Sequence, residues 1–393
     1  MSTDDESSNP PPPRGRRSAT MLARAGLHPE RFHGFVNPPL VRASTVLFES
    51  VEAMEGRTGH RYPYGLTNTP TIEALAEALT ELDGAAGTVL VPSGLAAVTV
   101  AILSAVKPGC MILVPDNVYG PTRRFCDESL PALGVTTHYY DPVDPDLGGM
   151  GERSVLFLEA PGSLTFEMPD VEALAAAAHA AGATTMLDNT WATPLIYRPL
   201  EHGIDIALYA GTKYFAGHSD LLIGSISANP RMWPALRRLH RNLGVQAGTE
   251  EIWLTLRGLR TMDVRLARHE ENAMTVARWL AARPEVARVL HPALPGDPGH
   301  RLWQRDFGRS TGLFGLVLNG TEAEARRFLN ALRLFGLGYS WGGFESLAIL
   351  GELRQARTVK PWTDGPVIRL HIGLEDPADL IEDLEQAFAA MAG

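Results

Sequence analysis

The sequence reads as an α/β protein, with a large domain on a mostly parallel central sheet and a smaller C-terminal α+β domain. Three observations carry this. From Thr71 to Tyr209 short apolar runs alternate with stretches of helical periodicity, the pattern of a parallel sheet covered on both faces. The polar residues that stand out there, Ser93, Tyr119, Asp188, Thr212 and Lys213, fall at or just after the ends of those runs, where open α/β sheets gather ligands. After Pro295-Gly296-Asp297-Pro298-Gly299 the spacing changes to that of a second, smaller unit.

In chain order, residues 1–17, with four consecutive prolines, have too little apolar content to order themselves and predict a disordered tail. Residues 18–64 read as a short helix and an extended arm through Val36-Asn37-Pro38-Pro39. Its prolines exclude a central strand and suit a surface laid along a neighbouring subunit. In the large domain, residues 65–255, helices are predicted over Glu73–Leu82, Ser93–Val106 and Val171–Ala181. Strands are predicted over Thr88–Val91, Met111–Val114, Val155–Leu158, Thr184–Leu187 and Ile204–Tyr209. A helical stretch from Thr249 to about Arg283, with Asp263 as an internal cap candidate, leads into the C-terminal domain, residues 256–393. There Leu313–Leu318, Ala323–Leu332, Ile368–Ile372 and a closing helix from Pro377 suggest α+β structure.

Composition removes several classes of function. A net charge of −10 over 393 residues, with both signs interspersed, argues against nucleic-acid binding, which needs a basic stripe. No uncharged apolar run of about 18 residues marks a membrane span. The N-terminus carries no apolar signal region, so a cytoplasmic protein is expected. Cys110 and Cys126 have no metal-ligand or CxxC spacing and read as reduced thiols.

Chemistry concentrates at two strand ends. Lys213 follows the apolar run Ile206–Ala210 and sits among small residues, so burial should depress its pKa and make the amine nucleophilic. Asp188 ends the run Thr184–Leu187. A lysine to condense with an aldehyde and a carboxylate to pair with a pyridinium nitrogen are what pyridoxal phosphate requires. Pro92-Ser93-Gly94-Leu95 follows a strand and opens a helix whose free amides would favour a phosphate, although many α/β turns look the same. Tyr119 is a rim tyrosine or a ring that stacks on the cofactor, and Thr212 a turn hydroxyl or a phosphate donor. Arg369, flanked by apolar residues, needs an anion: a substrate carboxylate or a structural partner. Ser340-Trp341 follows a strand of the same domain and is placed to close over that ligand. His218-Ser219-Asp220 is no triad, since adjacent residues point apart, and no HExxH pattern marks a zinc site.

Taken in order, Asn37-Pro38-Pro39 with Ser44-Thr45, Thr69-Pro70-Thr71, Ser93-Gly94, Tyr119-Gly120, Asp188-Asn189-Thr190, Thr212-Lys213-Tyr214 with Gly217-His218-Ser219-Asp220, and Arg257-Gly258-Leu259-Arg260-Thr261 resemble the Cys/Met-metabolism family of pyridoxal-phosphate enzymes. The resemblance runs from Gly34 to the end. It implies the aspartate-aminotransferase-like fold (fold type I) and a homotetramer of dimers that share active sites. It further implies Lys213 as the lysine that carries the cofactor, Asp188 as pyridinium partner, and Gly94, Leu95, Ser93 and Thr212 on the phosphate. Tyr119 would lie on the ring and Arg369 on the substrate α-carboxylate. Trp341 after Ser340, and Ala210 three residues before the lysine, resemble the β-eliminating members, which cleave L-cystathionine to homocysteine, pyruvate and ammonia. The γ-eliminating and γ-replacing members are the alternative. Tyr64 falls where the family donates a tyrosine to the neighbouring site, but Leu66 stands where it usually has a phosphate-binding arginine. Arg57 or Arg61 would then have to replace it. Leu66 is also the one feature that favours a cofactor-free interaction protein on the same scaffold.

Overall fold

The computed structural model describes residues 17–56, 61–353 and 356–391. The N-terminal tail, apart from Arg17, and Arg57 lie outside them. Two sheets organise the chain. The first contains β1 (Gly87–Val91), β2 (Met111–Pro115), β3 (Thr136–Tyr140), β4 (Ser154–Glu159), β5 (Thr184–Asp188), β6 (Ile206–Tyr209) and β7 (Gly224–Ala228), in the order β1-β7-β6-β5-β4-β2-β3. Only β7 runs against its neighbours. The strands from β6 across to β2 are apolar and buried on both faces because helices cover both sides. Sequence periodicity did not reveal β3, with its half-exposed Thr-Thr-His-Tyr-Tyr, or β7, whose Gly-Ser-Ile-Ser-Ala has little apolar content.

The second sheet holds β8 (Val286–Leu290), β9 (Leu313–Leu318), β10 (Gly336–Leu337), β11 (Leu347–Leu350) and β12 (Val367–His371), in the order β10-β11-β12-β9-β8. Helices Glu322–Ala331 and Pro377–Met391 pack on it around Phe314, Phe328 and Phe388. Two helices, Thr249–Leu259 and Met262–Ala281, join the sheets where the sequence suggested one stretch. Asp263 does not cap: it lies inside the second helix and pairs with Arg309 at 3.0 Å. Among the described residues no helix is long and apolar enough to cross a membrane.

Helix Pro70–Asp83 is capped by Thr69, whose hydroxyl accepts from the Ile72 amide, and ends at Gly84 in the left-handed region. Its last residue, Asp83, is fully buried and accepts a hydrogen bond from the Tyr209 hydroxyl. Burial pushes its pKa up to about 6. The unfolded chain therefore releases this proton at lower pH than the folded one, and Asp83 costs stability as pH rises from about 4 to about 6 and above. Asp83→Asn keeps an acceptor for Tyr209 and removes the cost. It should raise unfolding free energy at pH 8 by about 1–3 kcal/mol and change nothing near pH 4. Denaturant midpoints of the two proteins at both pH values check this.

Candidate active site

The C-terminal ends of the parallel strands bring most of the sequence-predicted residues together. Lys213 follows β6 in a turn closed by Gly217 N donating to Lys213 O at 2.8 Å. Its amine is largely buried. Burial and the nearby Arg369 guanidinium lower its pKa to about 8, against a smaller opposing pull from Asp188. Nζ donates to Ser340 Oγ at 2.6 Å and lies 5.3 Å from the centre of the Trp341 indole. Ser340 and Trp341, on the loop after β10, therefore meet the lysine across 127 residues of chain.

Asp188 ends β5. Its Oδ1 accepts from the Thr190 amide at 3.0 Å and hydroxyl at 2.6 Å, and Thr190 Oγ1 in turn accepts from Ala210 N at 2.9 Å. That chain ties the carboxylate to the turn that carries Lys213. Glu159, at the end of β4, stands in register beside Asp188. Burial raises both pKa values, and the Asp188 charge raises Glu159 further. The Thr190 donors and Lys213 pull Asp188 back, so Asp188 ionises first. Sequence reasoning passed over Glu159, although it ends the run Val155–Leu158 just as Asp188 ends its own.

Helix Gly94–Ala105 starts beside this point. The Ser93 hydroxyl caps it by accepting from Ala96 N at 3.1 Å, and the first-turn amides of Gly94 and Leu95 face outward without a helical acceptor. Gly94 is glycine because of a close approach: a Cβ there would lie 2.4 Å from Ala210 Cβ. Ala210 and Gly94 are thus small for each other, and the helix N-terminus is held beside the lysine turn. Thr212 Oγ1 donates to Ile223 O at 3.2 Å and accepts from Ile223 N at 3.0 Å, so it would have to give up a bond to donate elsewhere. Tyr119, the N-cap of helix Gly120–Glu128, is half exposed, and its amide donates to Glu159 at 2.8 Å. Burial, with the charges of Asp188 and Glu159, raises the pKa of its hydroxyl.

Arg369, in β12, is the other cation of this cluster and is partly buried. Nη2 donates to Ser340 O at 2.9 Å, and among the described residues no carboxylate lies within ion-pair distance of its guanidinium. Burial accordingly lowers its pKa to about 10. A guanidinium held largely out of water without a counter-charge is costly unless an anion arrives. Tyr64 and Leu66 lie on an exposed stretch away from this cluster. Arg61 is bound to Glu73 at 2.9 Å and lies 3.5 Å from Glu77. His218 Nδ1 faces Ala216 O and Ser219 donates to Glu345, so these two form no triad.

These residues fit pyridoxal phosphate. An amine of lowered basicity stands beside an ionisable carboxylate and free helix amides, and a guanidinium with no carboxylate partner among the described residues can take one from a ligand. Such a set on this mixed sheet defines an enzyme of pyridoxal-phosphate fold type I. The family model of the Cys/Met metabolism PLP-dependent enzymes matches residues 19–389, and the chain belongs to that family. A Rhizobium johnstonii protein provisionally named cystathionine beta-lyase is 53% identical over 382 residues, 94% of this chain and 96% of its own. The cystathionine beta-lyase MetC of Escherichia coli is 42% identical over 385 residues, 94% of this chain and 98% of its own. The crystal structure of cystathionine gamma synthase from Xanthomonas oryzae in complex with cystathionine superposes with a TM-score of 0.88. It is 31% identical and covers 96% of this chain and 99% of that one.

Proposed function

We propose that the chain is a carbon–sulfur lyase that converts L-cystathionine and water to homocysteine, pyruvate and ammonia. The observation that carries this is the Ser340–Gly343 turn seated on Lys213. β-Elimination needs one proton removed, from Cα, whereas γ-elimination also needs one from Cβ, so the base must reach two carbons. Here the amine is tethered to Ser340 Oγ at 2.6 Å beside the Trp341 ring, which restricts its reach. The relatives named for β-lyase activity support the same reading.

In this reading Arg369 binds the substrate α-carboxylate with its planar fork. Bound pyridoxal phosphate supplies the electron sink, with Asp188 on its ring nitrogen, Tyr119 over the ring, and Gly94, Leu95, Ser93 and Thr212 on the phosphate. Lys213 takes the Cα proton, and a pKa lowered toward neutrality suits that task. Pyruvate release from L-cystathionine tests the proposal. Formation of 2-oxobutyrate with no pyruvate would reverse it in favour of γ-chemistry.

The site is completed by a second copy. Phe35, Val36 and Leu47 on the N-terminal arm are more than 60% exposed in one chain, and burying such surface favours association. Tyr64 and Leu66 would then reach the partner's cofactor, within a homotetramer of active-site-sharing dimers. A cytoplasmic location belongs to the same reading and agrees with two buried free cysteines. Arg61 is engaged by Glu73 and Glu77, and unless Arg57, which lies outside the described residues, takes its place, the phosphate is left one charge short. Leu66→Arg should therefore tighten cofactor binding by roughly 1–2 kcal/mol, the scale of one charged hydrogen bond. Titration of cofactor-free wild type and variant with pyridoxal phosphate gives the two Kd values. Weaker binding by the variant would show that the phosphate is already neutralised.

A further inference from the structure

Strand β12 sends two polar side chains to the Ser340–Gly343 turn, and the reading above uses only Arg369. Two residues on, His371 lies on the same face of the strand and is fully buried. Its Nε2 is 3.0 Å from the Gly342 amide nitrogen and 3.1 Å from Gly343 O. One ring nitrogen cannot serve both. Gly342 is buried and its N–H is aimed at Nε2 in the shorter of the two contacts, so Nε2 accepts from Gly342 and the ring proton sits on Nδ1.

The neighbouring ring has a tautomer of its own fixed by a carbonyl. His269, also fully buried, lies with its centroid 5.2 Å from that of His371, and its Nδ1 donates to Ile372 O at 2.8 Å. Its bare nitrogen is therefore Nε2. Among the described residues, His269 Nε2 and His371 Nδ1 both lack a partner. With the protons so placed, the first is a leftover acceptor and the second a leftover donor. Burial lowers the pKa of His269 to about 4 and that of His371 well below its usual value, which keeps both rings neutral.

The turn needs such a restraint. Ser340 has φ +77°, a left-handed conformation that is strained for a non-glycine residue. Gly342, at φ +86°, packs so closely that a Cβ would lie 3.0 Å from Lys213 Cα. We propose that His371 is a positioning residue: its neutral imidazole holds the Gly342 amide, which seats the strained turn and keeps Ser340 Oγ on the Lys213 amine.

The test uses the full chain with His371→Phe, which removes the acceptor but keeps a ring, and His371→Gln, whose Oε1 can occupy the Nε2 position. In the cofactor-free protein, hydrogen exchange at the Gly342 amide should accelerate about tenfold or more in H371F, the scale of one lost hydrogen bond, and return toward wild type in H371Q. In the loaded enzyme kcat should fall by about tenfold in H371F with KM moving less, and H371Q should recover it to within about threefold. A folded H371F with unchanged exchange overturns the proposal, as does faster exchange with unaltered kcat. Should H371F not fold, neutron diffraction on the unaltered chain decides: a proton on His371 Nε2 overturns the assignment. The kinetic arm rests on the proposed β-elimination; the exchange and neutron arms do not, so failure of that reaction would leave them standing.

Discussion

Lys213→Ala should abolish β-elimination, lowering kcat by at least about 10⁴-fold, because it removes the general base that takes the Cα proton. It should also remove the near-visible absorbance of lysine-linked cofactor, since Lys360, the other lysine at this edge among the described residues, lies beyond β3 with its amine on Asp141 at 3.1 Å. The fold should survive. The amine makes one side-chain hydrogen bond, to Ser340, and its truncation removes a buried group that is costly to keep charged. Unchanged helical content and unfolding midpoint beside lost turnover would separate chemistry from folding, and near-normal pyruvate release by the folded variant would exclude Lys213 as the base. The wild type offers a second readout. With a pKa of about 8 instead of the usual 10.5, its lysine should condense with added pyridoxal phosphate at a rate that climbs through about pH 8. A rate still climbing at pH 10 would mean that the amine is not buried as described.

Lys213 and Asp188 were legible because both obey one local rule: a polar residue directly after an apolar run marks a strand end that faces the ligand edge. Glu159 obeys it too and was missed, because nothing in its vicinity suggested a role until β4 and β5 were seen in register. Ser93 and Gly94 were legible as a helix start. Their spacing could not show that the Ser93 hydroxyl is used as a cap or that Gly94 is small because of Ala210. The polar strands β3 and β7 fell below the hydrophobic signal on which strand reading depends. Asp263 had the right composition for a cap and found Arg309 instead, a partner 46 residues away. His371 was unreadable for the same reason, since its acceptor nitrogen serves a backbone amide 29 residues distant. Pattern reports local chemistry; partners brought from afar by the fold do not appear in it.

Arg369→Ala should separate function from stability in opposite directions. If the guanidinium exists to bind a substrate carboxylate, its loss should lower kcat/KM for every α-amino-acid substrate by about 30- to 1000-fold, the equivalent of roughly 2–4 kcal/mol for a broken charge-assisted bidentate contact. Most of that should appear in KM, because the carboxylate is held equally before and during proton transfer. Arg369→Lys should fall between, since an ammonium supplies charge without the fork. The free protein should respond differently. Arg369 has no carboxylate partner among the described residues, and burial already depresses its pKa to about 10, so the folded chain is strained by this cation and not held together by it. Removing it should leave the unfolding midpoint of the substrate-free protein unchanged or raised, offset by loss of the bond to Ser340 O. A structural ion pair would give the reverse, a large loss of stability with KM moving less than a few-fold. Measuring both quantities on one preparation distinguishes a binding group from a scaffold group: KM and midpoint rising together assign Arg369 to the substrate, and a falling midpoint with steady KM assigns it to the fold.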